Sequence, residues 1–190
     1  MLLTKSIFRK KCLKKIKNSS IHNKIYKTSI LNKKLLQELD LKKRVSILIY
    51  YPLPYEADIM KLLHKLRKKH DVFIPFMQGK SFKMVPFRLP LKKKRFGIFE
   101  AGNTLRNINK IDIAIVPTVG VDGNLQRIGF GKGMYDRFFE KLKKRPYTIF
   151  IQPEFCYTKN TICDIYDVKG DVLITPTKTI RNRAVLRKRT

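Results

Sequence analysis

The chain has 190 residues and a hydrophobic content of 43%, which together allow a single globular domain with a substantial core. Its 43 Lys and Arg residues are balanced by only 14 Asp and Glu residues, giving a formal net charge of +29. No apolar run approaches the roughly 18 residues of a membrane span and no secretory signal is recognisable, so we expect a cytoplasmic protein without a membrane partner.

The predicted elements begin with two basic helices. Residues 3–17 carry apolar side chains at helical spacing, as do residues 24–39, and the polar residues 18–23 between them are typical of a turn. In the first helix Lys5 and Arg9 are four residues apart, so both side chains lie on one face and can point at one polyanion. In so basic a sequence, however, this spacing arises easily and more often marks a solvated face.

The rest of the chain alternates strands with helices. The pattern predicts a buried strand at 45–51, a helix at 56–69, strands at 71–76, 84–89 and 111–116, a helix from Tyr135, and strands at 147–151 and from Asp171. This order favours an α/β fold, a three-layer α/β/α sandwich with a mainly parallel sheet. We expect one domain over residues 1–190, with the helices of residues 1–40 packed on the α/β core.

Residues 111–142 carry the strongest functional signal. A β-branched apolar strand leads into a loop that holds five of the nine glycines of the chain, and an amphipathic helix follows. These glycines are Gly120, Gly123, Gly129, Gly131 and Gly133. Because Arg127 and Lys132 flank the last three and a helix starts nearby, the loop is suited to bind an anion, most naturally phosphates.

Two common phosphate loops do not fit this spacing. A Walker loop requires Ser or Thr after Gly-Lys, whereas Lys132 is followed by Gly133. A dinucleotide-binding fingerprint requires a third glycine where this chain has Met134. The alternative is a loop that only turns tightly between strand and helix, which would account for two glycines but not for five with two cations.

The same stretch resembles a known family. Arg127-Ile-Gly-Phe-Gly-Lys-Gly-Met-Tyr-Asp136 resembles the R-L-G-x-G-x-G-x-Y-D signature of the 5-formyltetrahydrofolate cyclo-ligases. The segment from Tyr50 to Glu56 is similar to the family's Y-x-x-x-x-x-E, and Lys5-x-x-x-Arg9 to its N-terminal motif. The resemblance implies ATP-dependent conversion of 5-formyltetrahydrofolate to 5,10-methenyltetrahydrofolate, with ADP and phosphate released and Mg²⁺ bound to the nucleotide.

The resemblance also implies roles for individual residues. It assigns nucleotide binding to nine of them: Lys5, Arg9, Arg127, Gly129, Gly131, Lys132, Gly133, Met134 and Tyr135. It assigns folate contacts to Tyr51, Glu56, Met84 and Tyr135, and magnesium to Asp136 and Asp171. Since Arg127 and Lys132 would neutralise the charge that moves with the phosphoryl group, we expect their replacement by Ala to cut turnover by about 10² or more.

Several alternatives stay open. Glu56 could instead cap a helix, and Asp171 could be a turn residue. Tyr166 stands where the family has a histidine before Asp167, which leaves open a chain that binds folate or nucleotide without catalysis. The positive charge favours a nucleic-acid-binding protein as a further alternative, although the lysines form no single stripe and we expect only non-specific polyanion binding. We expect a monomer.

The cysteines give no clear pattern. Cys12, Cys156 and Cys163 are odd in number and lack C-x-x-C spacing, and the three histidines do not cluster. The sequence therefore suggests neither a disulfide framework nor a zinc site.

Overall fold

The computed structural model describes residues 3–19, 23–39, 41–94, 99–105, 108 and 110–182. In chain order the elements are α1 (Lys5–Ser19), α2 (Lys24–Leu39), β1 (Ser46–Ile49), α3 (Met60–Leu66), β2 (Asp71–Gln78), β3 (Ser81–Pro86), β4 (Lys92–Lys93), β5 (Phe99–Glu100), β6 (Ile113–Pro117), β7 (Gly120–Val121), β8 (Arg127–Ile128), α4 (Met134–Glu140), β9 (Tyr147–Ile151), β10 (Val172–Ile174) and β11 (Thr179–Arg181). Within the described ranges, no helix is both long and apolar enough to cross a membrane.

A seven-stranded sheet forms the centre, in the order β11-β10-β9-β6-β1-β2-β3. The five inner strands run parallel, and the edge strands β11 and β3 are antiparallel to their neighbours. From β1 the chain winds first to β2 and later returns to β6 on the other side of β1. Ligands of such sheets bind outside the carboxyl ends of the strands where the winding reverses, here the ends of β1 and β6.

Side chains of each inner strand alternate between two cores. On β1, Ile47 and Ile49 face the layer of α2 and α3, and Leu48 faces α4. The other inner strands alternate in the same way. On the α4 side, Phe138 stacks on Phe82 of β3, with ring centroids 4.3 Å apart. Helices thus cover both faces, and the prediction of a three-layer α/β/α sandwich with a mainly parallel sheet is confirmed.

Helix α1 belongs to a third, smaller cluster beside the sheet. Its Phe8, Cys12 and Ile16 pack on residues that follow β6 and β9. The sequence suggested no disulfide framework, but Cys12 and Cys156 form one disulfide across 144 positions of sequence, with Cα atoms 5.8 Å apart. Pairing of this kind depends on the fold, which brings α1 against the loop after β9, and spacing along the chain does not reveal it.

The predicted elements correspond closely to the observed ones. Helix α2 and strand β9 have the predicted bounds, whereas the helix predicted at 56–69 is shorter as α3. The predicted glycine-rich loop contains the small antiparallel hairpin of β7 and β8. Of the predicted turn at 18–23, residues 20–22 lie outside the described residues.

Candidate functional site

A cavity of about 820 Å³ opens between α1, the glycine-rich loop, α4 and the segment before β10. Its volume is within the range of small-molecule sites. Basic and acidic side chains both line it: Lys5, Arg9, Arg127, Arg137, Arg145 and Lys169, with Asp136, Glu140 and Asp167. Because cationic side chains outnumber carboxylates in this lining, the cavity suits an anionic ligand. The carboxylates suit a cation that is bound to that ligand.

Arg127 is the buried cation of this cavity, with only 6% of its surface exposed. Its Nε donates to the carbonyl oxygen of Pro117 at 3.0 Å, and its guanidinium lies 4.8 Å from the ring centroid of Tyr135. Nη1 is 4.0 Å from Oδ2 of Asp136. Burial lowers the pKa of Arg127 while the charge of Asp136 opposes that shift, and a guanidinium remains protonated in such surroundings. A fixed positive charge therefore faces the cavity.

Two further cations come from α1, as the spacing of Lys5 and Arg9 predicted. The Nε atom of Arg9 donates to the carbonyl oxygen of Gly129 at 2.9 Å, which fastens α1 to the glycine-rich loop. Lys5 forms ion pairs with Asp167 and, at 3.1 Å, with Asp164. Burial pulls the pKa of Lys5 down, but the hydrogen bonds to Asp167 and Asp164 outweigh it, so the pKa is raised.

The glycines of the loop are required by backbone geometry and by close packing. Gly131 and Gly133 have φ of +99° and +59°, conformations that side chains disfavour. Gly133 is also the N-cap residue of α4. All three of Gly129, Gly131 and Gly133 line the cavity, so the loop offers its backbone to a ligand at the start of a helix.

The structure does not bring Asp171 to the cavity, so the predicted pair of Asp136 and Asp171 needs correction. Arg145 binds both carboxylate oxygens of Asp171, each at 3.0 Å, and the N–H of Thr148 donates to one of them at 2.7 Å. These bonds hold Asp171 as a structural residue. Asp167, four residues earlier in the chain, lines the cavity instead.

Asp136 and Asp167 both line the cavity. The N–H of Val168, the neighbour of Asp167, donates to Oδ1 of Asp136 at 3.2 Å. Within the described residues, Oδ2 of Asp136 and Oδ1 of Asp167 accept no hydrogen bond, and no group of three or more His, Cys, Asp or Glu forms a complete metal cage. Two carboxylates with free oxygens fit a Mg²⁺ ion that brings phosphate oxygens and water as its other ligands.

Glu56 lies after the carboxyl end of β1, next to the buried end of Arg127. Its Oε2 accepts the N–H of Leu53 at 2.9 Å. Burial raises the pKa of Glu56 from 4.5 to about 7, and the Leu53 hydrogen bond and the charge of Arg127 act against it. Burial also raises the pKa of the Tyr135 hydroxyl, with the charge of Glu56 adding to the shift. Glu56, Tyr135 and Arg127 thus form one electrostatic group that joins the glycine-rich loop to the end of β1.

Six predicted residues besides Asp171 do not line the cavity: Tyr51, Glu56, Met84, Lys132, Met134 and Tyr135. Met84 is a core residue of β3 with 2% exposure, so its predicted folate contact is not supported. Tyr51 packs on Phe99, with ring centroids 5.2 Å apart. Lys132 is exposed and, like Met134, does not line the cavity.

Sequence reasoning missed Arg137 as a cavity residue. Its guanidinium donates to the carbonyl oxygens of Lys132, at 2.5 Å, and of Lys80 in the turn between β2 and β3. The sequence feature that could have identified Arg137 is its position one turn into α4. Side chains of a helix point toward its N-terminus, so this one reaches back over the glycine-rich loop. The sequence placed Arg137 only on the polar face of the helix, without a partner.

Comparisons with known proteins agree with this geometry. The model of the 5-formyltetrahydrofolate cyclo-ligase family matches residues 3–176. A 5-formyltetrahydrofolate cyclo-ligase of Mycoplasma pneumoniae is 27% identical over 173 residues, covering 90% of this chain and 98% of that protein. A probable 5-formyltetrahydrofolate cyclo-ligase of Schizosaccharomyces pombe is 26% identical, covering 79% of this chain and 84% of its own length.

Solved structures give the same result. The NMR structure of Aquifex aeolicus 5,10-methenyltetrahydrofolate synthetase superposes with a TM-score of 0.79 at 27% identity, covering 95% of this chain and 94% of that one. The 5,10-methenyltetrahydrofolate synthetase of Mycoplasma pneumoniae shares the fold, with a TM-score of 0.70 at 23% identity, covering 92% of this chain and 99% of that one. Since the family model spans nearly the whole sequence, the chain belongs to the 5-formyltetrahydrofolate cyclo-ligase family.

Proposed function

We propose that the chain catalyses the ATP-dependent cyclisation of 5-formyltetrahydrofolate to 5,10-methenyltetrahydrofolate, releasing ADP and phosphate. The observation that carries the proposal is the position of Arg127, which lines the cavity and also interacts with Glu56, after the end of β1, and with Tyr135 of α4. One residue thus borders both a site for a polyphosphate and a site for an organic substrate. That is the arrangement that transfer of a phosphoryl group between two bound substrates requires.

The nucleotide is held by the glycine-rich loop and α1. The backbone of Gly129, Gly131 and Gly133 faces the phosphates, and the fixed charges of Arg9 and Arg127 neutralise them. Lys5 adds a charge at the side of Asp167, and Lys132 contributes from the exposed rim, with Met134 and Tyr135 shaping the start of α4. The carboxylates of Asp136 and Asp167 are the residues that would hold Mg²⁺, which would supply additional neutralisation of phosphate charge.

The folate lies on the other side of Arg127. Glu56 follows β1 and, when ionised, accepts two parallel hydrogen bonds from the N–H edge of a pterin. Its pKa of about 7 means that it takes up or releases a proton near neutral pH. Tyr135 follows the glycine-rich loop and Tyr51 precedes Glu56 by five positions, and we assign them the folate ring.

The reaction follows from placing the formyl oxygen next to the γ-phosphate. The γ-phosphoryl group passes to the formyl oxygen, and the bond to ADP breaks. N10 then attacks the formyl carbon and loses its proton, and the carbon–oxygen bond breaks as phosphate leaves, which completes the methenyl bridge. Arg127 stabilises the negative charge on the transferred group, and its fixed position avoids reorganisation during the transfer.

We propose a monomer that acts in the cytoplasm, as expected from the sequence. Sedimentation of the purified protein with and without Mg-ATP measures the mass directly.

The test mixes purified protein, Mg-ATP and 5-formyltetrahydrofolate and follows the absorbance of the methenyl product. We expect product only with both substrates present, with one phosphate released per methenyl group. Omission of ATP and replacement of ATP by ADP are the controls. Binding of Mg-ATP without product would identify a non-catalytic binder and contradict the proposal, as would salt-sensitive RNA binding with no folate turnover.

A further inference from the structure

Asp122 is a fully buried carboxylate in the hairpin of β7 and β8, outside the cavity. Its Oδ1 accepts the N–H groups of Asn124 and Gln126, at 3.0 and 2.9 Å. Its Oδ2 accepts those of Ile162 and Cys163, at 3.2 and 3.1 Å. No cation forms an ion pair with it in the described parts of the chain. Four backbone donors thus stabilise its charge, two from its own turn and two from a distant segment.

The distant segment leads directly to one side of the cavity. We call residues 164–169 the cavity wall segment, since five of its six residues line the cavity. It has no helix or long strand of its own, so its conformation depends on bonds to neighbouring elements. Cys163, which donates to Asp122, is followed by Asp164, and the N–H of Asp164 donates to Oδ2 of Asp167 at 2.7 Å. A short series of hydrogen bonds therefore joins Asp122 to Asp167.

A second contact from the same turn supports this connection. The side-chain amide of Gln126 donates to the carbonyl oxygens of Asp164, at 2.6 Å, and of Asp167, at 3.4 Å. The N–H of Gln126 is itself bound to Asp122. Asp122 thus fixes the backbone of Cys163, directly before the cavity wall segment. It also fixes the backbone of Gln126, whose side chain binds Asp164 and Asp167 of that segment.

We propose that Asp122 is a positioning residue that fixes the carboxylate of Asp167 for the magnesium ion of the bound nucleotide. The inference rests on the proposed function, in which Asp167 is a magnesium ligand. Asp122 is well suited to this task because a carboxylate alone among side chains of its size offers two acceptor oxygens. Asparagine at this position would turn an N–H donor toward the donors of Ile162 and Cys163, and two of four hydrogen bonds would be lost.

The experiment measures ADP affinity by calorimetry, with Mg²⁺ and with EDTA, so that no turnover is needed. In the wild type we expect Mg²⁺ to strengthen ADP binding. In Asp122→Asn we expect this enhancement to fall by about 10-fold or more, the usual loss when a residue that orients a metal ligand is changed. Affinity for ADP in EDTA and the KM for 5-formyltetrahydrofolate should stay within about twofold of wild type, which a general loss of structure would not allow.

A double-mutant cycle decides whether Asp122 acts through Asp167. Asp167→Asn alone should lose the enhancement, and Asp122→Asn/Asp167→Asn should lose no more, because the two residues act on one ligand. The control Asp112→Asn alters a carboxylate that binds Ser46, away from the cavity, and should behave as wild type. Additive losses, or a normal enhancement in Asp122→Asn, would overturn the inference while leaving the magnesium role of Asp167 intact.

Other results separate the two proposals. A normal enhancement in Asp167→Asn would overturn both the magnesium role of Asp167 and the inference about Asp122. If Asp122→Asn does not fold, Gln126→Leu takes its place. This change removes the side-chain hydrogen bonds of Gln126 to Asp164 and Asp167. Because residue 126 is half-buried and leucine carries no N–H group, no two donors are forced together in the core. We expect it to reduce the enhancement by about threefold or more, and an unchanged enhancement in this variant would overturn the inference.

Discussion

The guanidinium of Arg127 lies directly over Gly129. A Cβ atom on residue 129 would stand 2.3 Å from Nη1 of Arg127 and 2.7 Å from its Cζ, closer than atoms can approach. Because Nε of Arg127 is held by the carbonyl oxygen of Pro117, the side chain cannot move aside without losing that bond. The absence of a side chain at position 129 is therefore what lets Arg127 reach the cavity.

This relationship predicts the effect of Gly129→Ala. The methyl group should displace Arg127, and we expect Mg-ADP to bind about 10-fold more weakly or worse, since small displacements of a fixed charge are costly. The matched control is Gly102→Ala, because a Cβ atom there meets nothing within 4 Å. Calorimetric titration of both variants makes the comparison, and equal affinities would refute the assigned role of Gly129.

The structure separates the contributions of Arg127 and Lys132. Arg127 is buried and lines the cavity, whereas Lys132 is exposed and does not line it. We expect Arg127→Lys to lower kcat/KM by about 10² or more, because an ammonium cannot reproduce the fork of a guanidinium. For Lys132→Ala we now expect a loss of about fivefold, mainly in KM, as is typical of an exposed charge.

Steady-state kinetics with each substrate varied in turn tests both expectations. Circular dichroism before the assay shows whether Arg127→Lys still folds. A 10²-fold loss in Lys132→Ala would mean that this side chain moves into the cavity when the nucleotide binds, and the assignment of Arg127 as the dominant charge would then be wrong.

Much of the fold was predictable from the sequence because its signals are local. The β-branched strands β6 and β9 and the helix α2 each show their period within a short window. The five glycines predicted an anion-binding loop for the same reason. Arg127 could be assigned to that loop, although its stacking on Tyr135 and its burial could not be predicted from neighbouring residues.

Residues whose role depends on distant partners were assigned less well. Asp171 was predicted as a magnesium residue, and only the fold shows that Arg145 binds its carboxylate. The disulfide has the same origin, since Cys12 and Cys156 are 144 positions apart. Asp122 gave no signal, because a buried carboxylate bound to backbone N–H groups looks in sequence like an ordinary turn residue.

Glu56 should make stability depend on pH. Its pKa is raised on folding from 4.5 to about 7, so its protonated form is favoured in the folded state. The stability that it contributes is complete below pH 4.5 and is lost as the pH rises through about 7. We expect this component to be about 3 kcal/mol. Glu56→Gln should therefore flatten the pH dependence of the unfolding free energy and be more stable than wild type above pH 7.

Urea denaturation at a series of pH values measures this difference. Glu140→Gln, an exposed change on α4, is the control and should preserve the wild-type curve. Glu56→Gln should also bind 5-formyltetrahydrofolate more weakly, because an amide cannot accept two parallel hydrogen bonds. A steeper stability profile in Glu56→Gln would show that the carboxylate is charged throughout in the folded protein, contrary to its raised pKa.

The disulfide should both stabilise the protein and hold α1 at the cavity. Cys12 and Cys156 close a loop of 144 positions, and a bond closing a loop of this size is worth about 2–5 kcal/mol. Under denaturing, non-reducing conditions we expect one reactive thiol per chain, that of Cys163, and three after reduction. Reduction should lower the thermal midpoint, and Cys12→Ser should remove its sensitivity to reductant.

The same bond should affect nucleotide binding, because α1 carries Lys5 and Arg9 into the cavity. We expect reduced protein and Cys12→Ser to bind Mg-ADP more weakly by the same factor. Cys163→Ser should keep both the thermal midpoint and the affinity of the oxidised wild type. Three reactive thiols without reductant would disprove the disulfide, and unchanged Mg-ADP affinity after confirmed reduction would show that the packing of α1 and the polar contacts of Lys5 and Arg9 hold the helix without it.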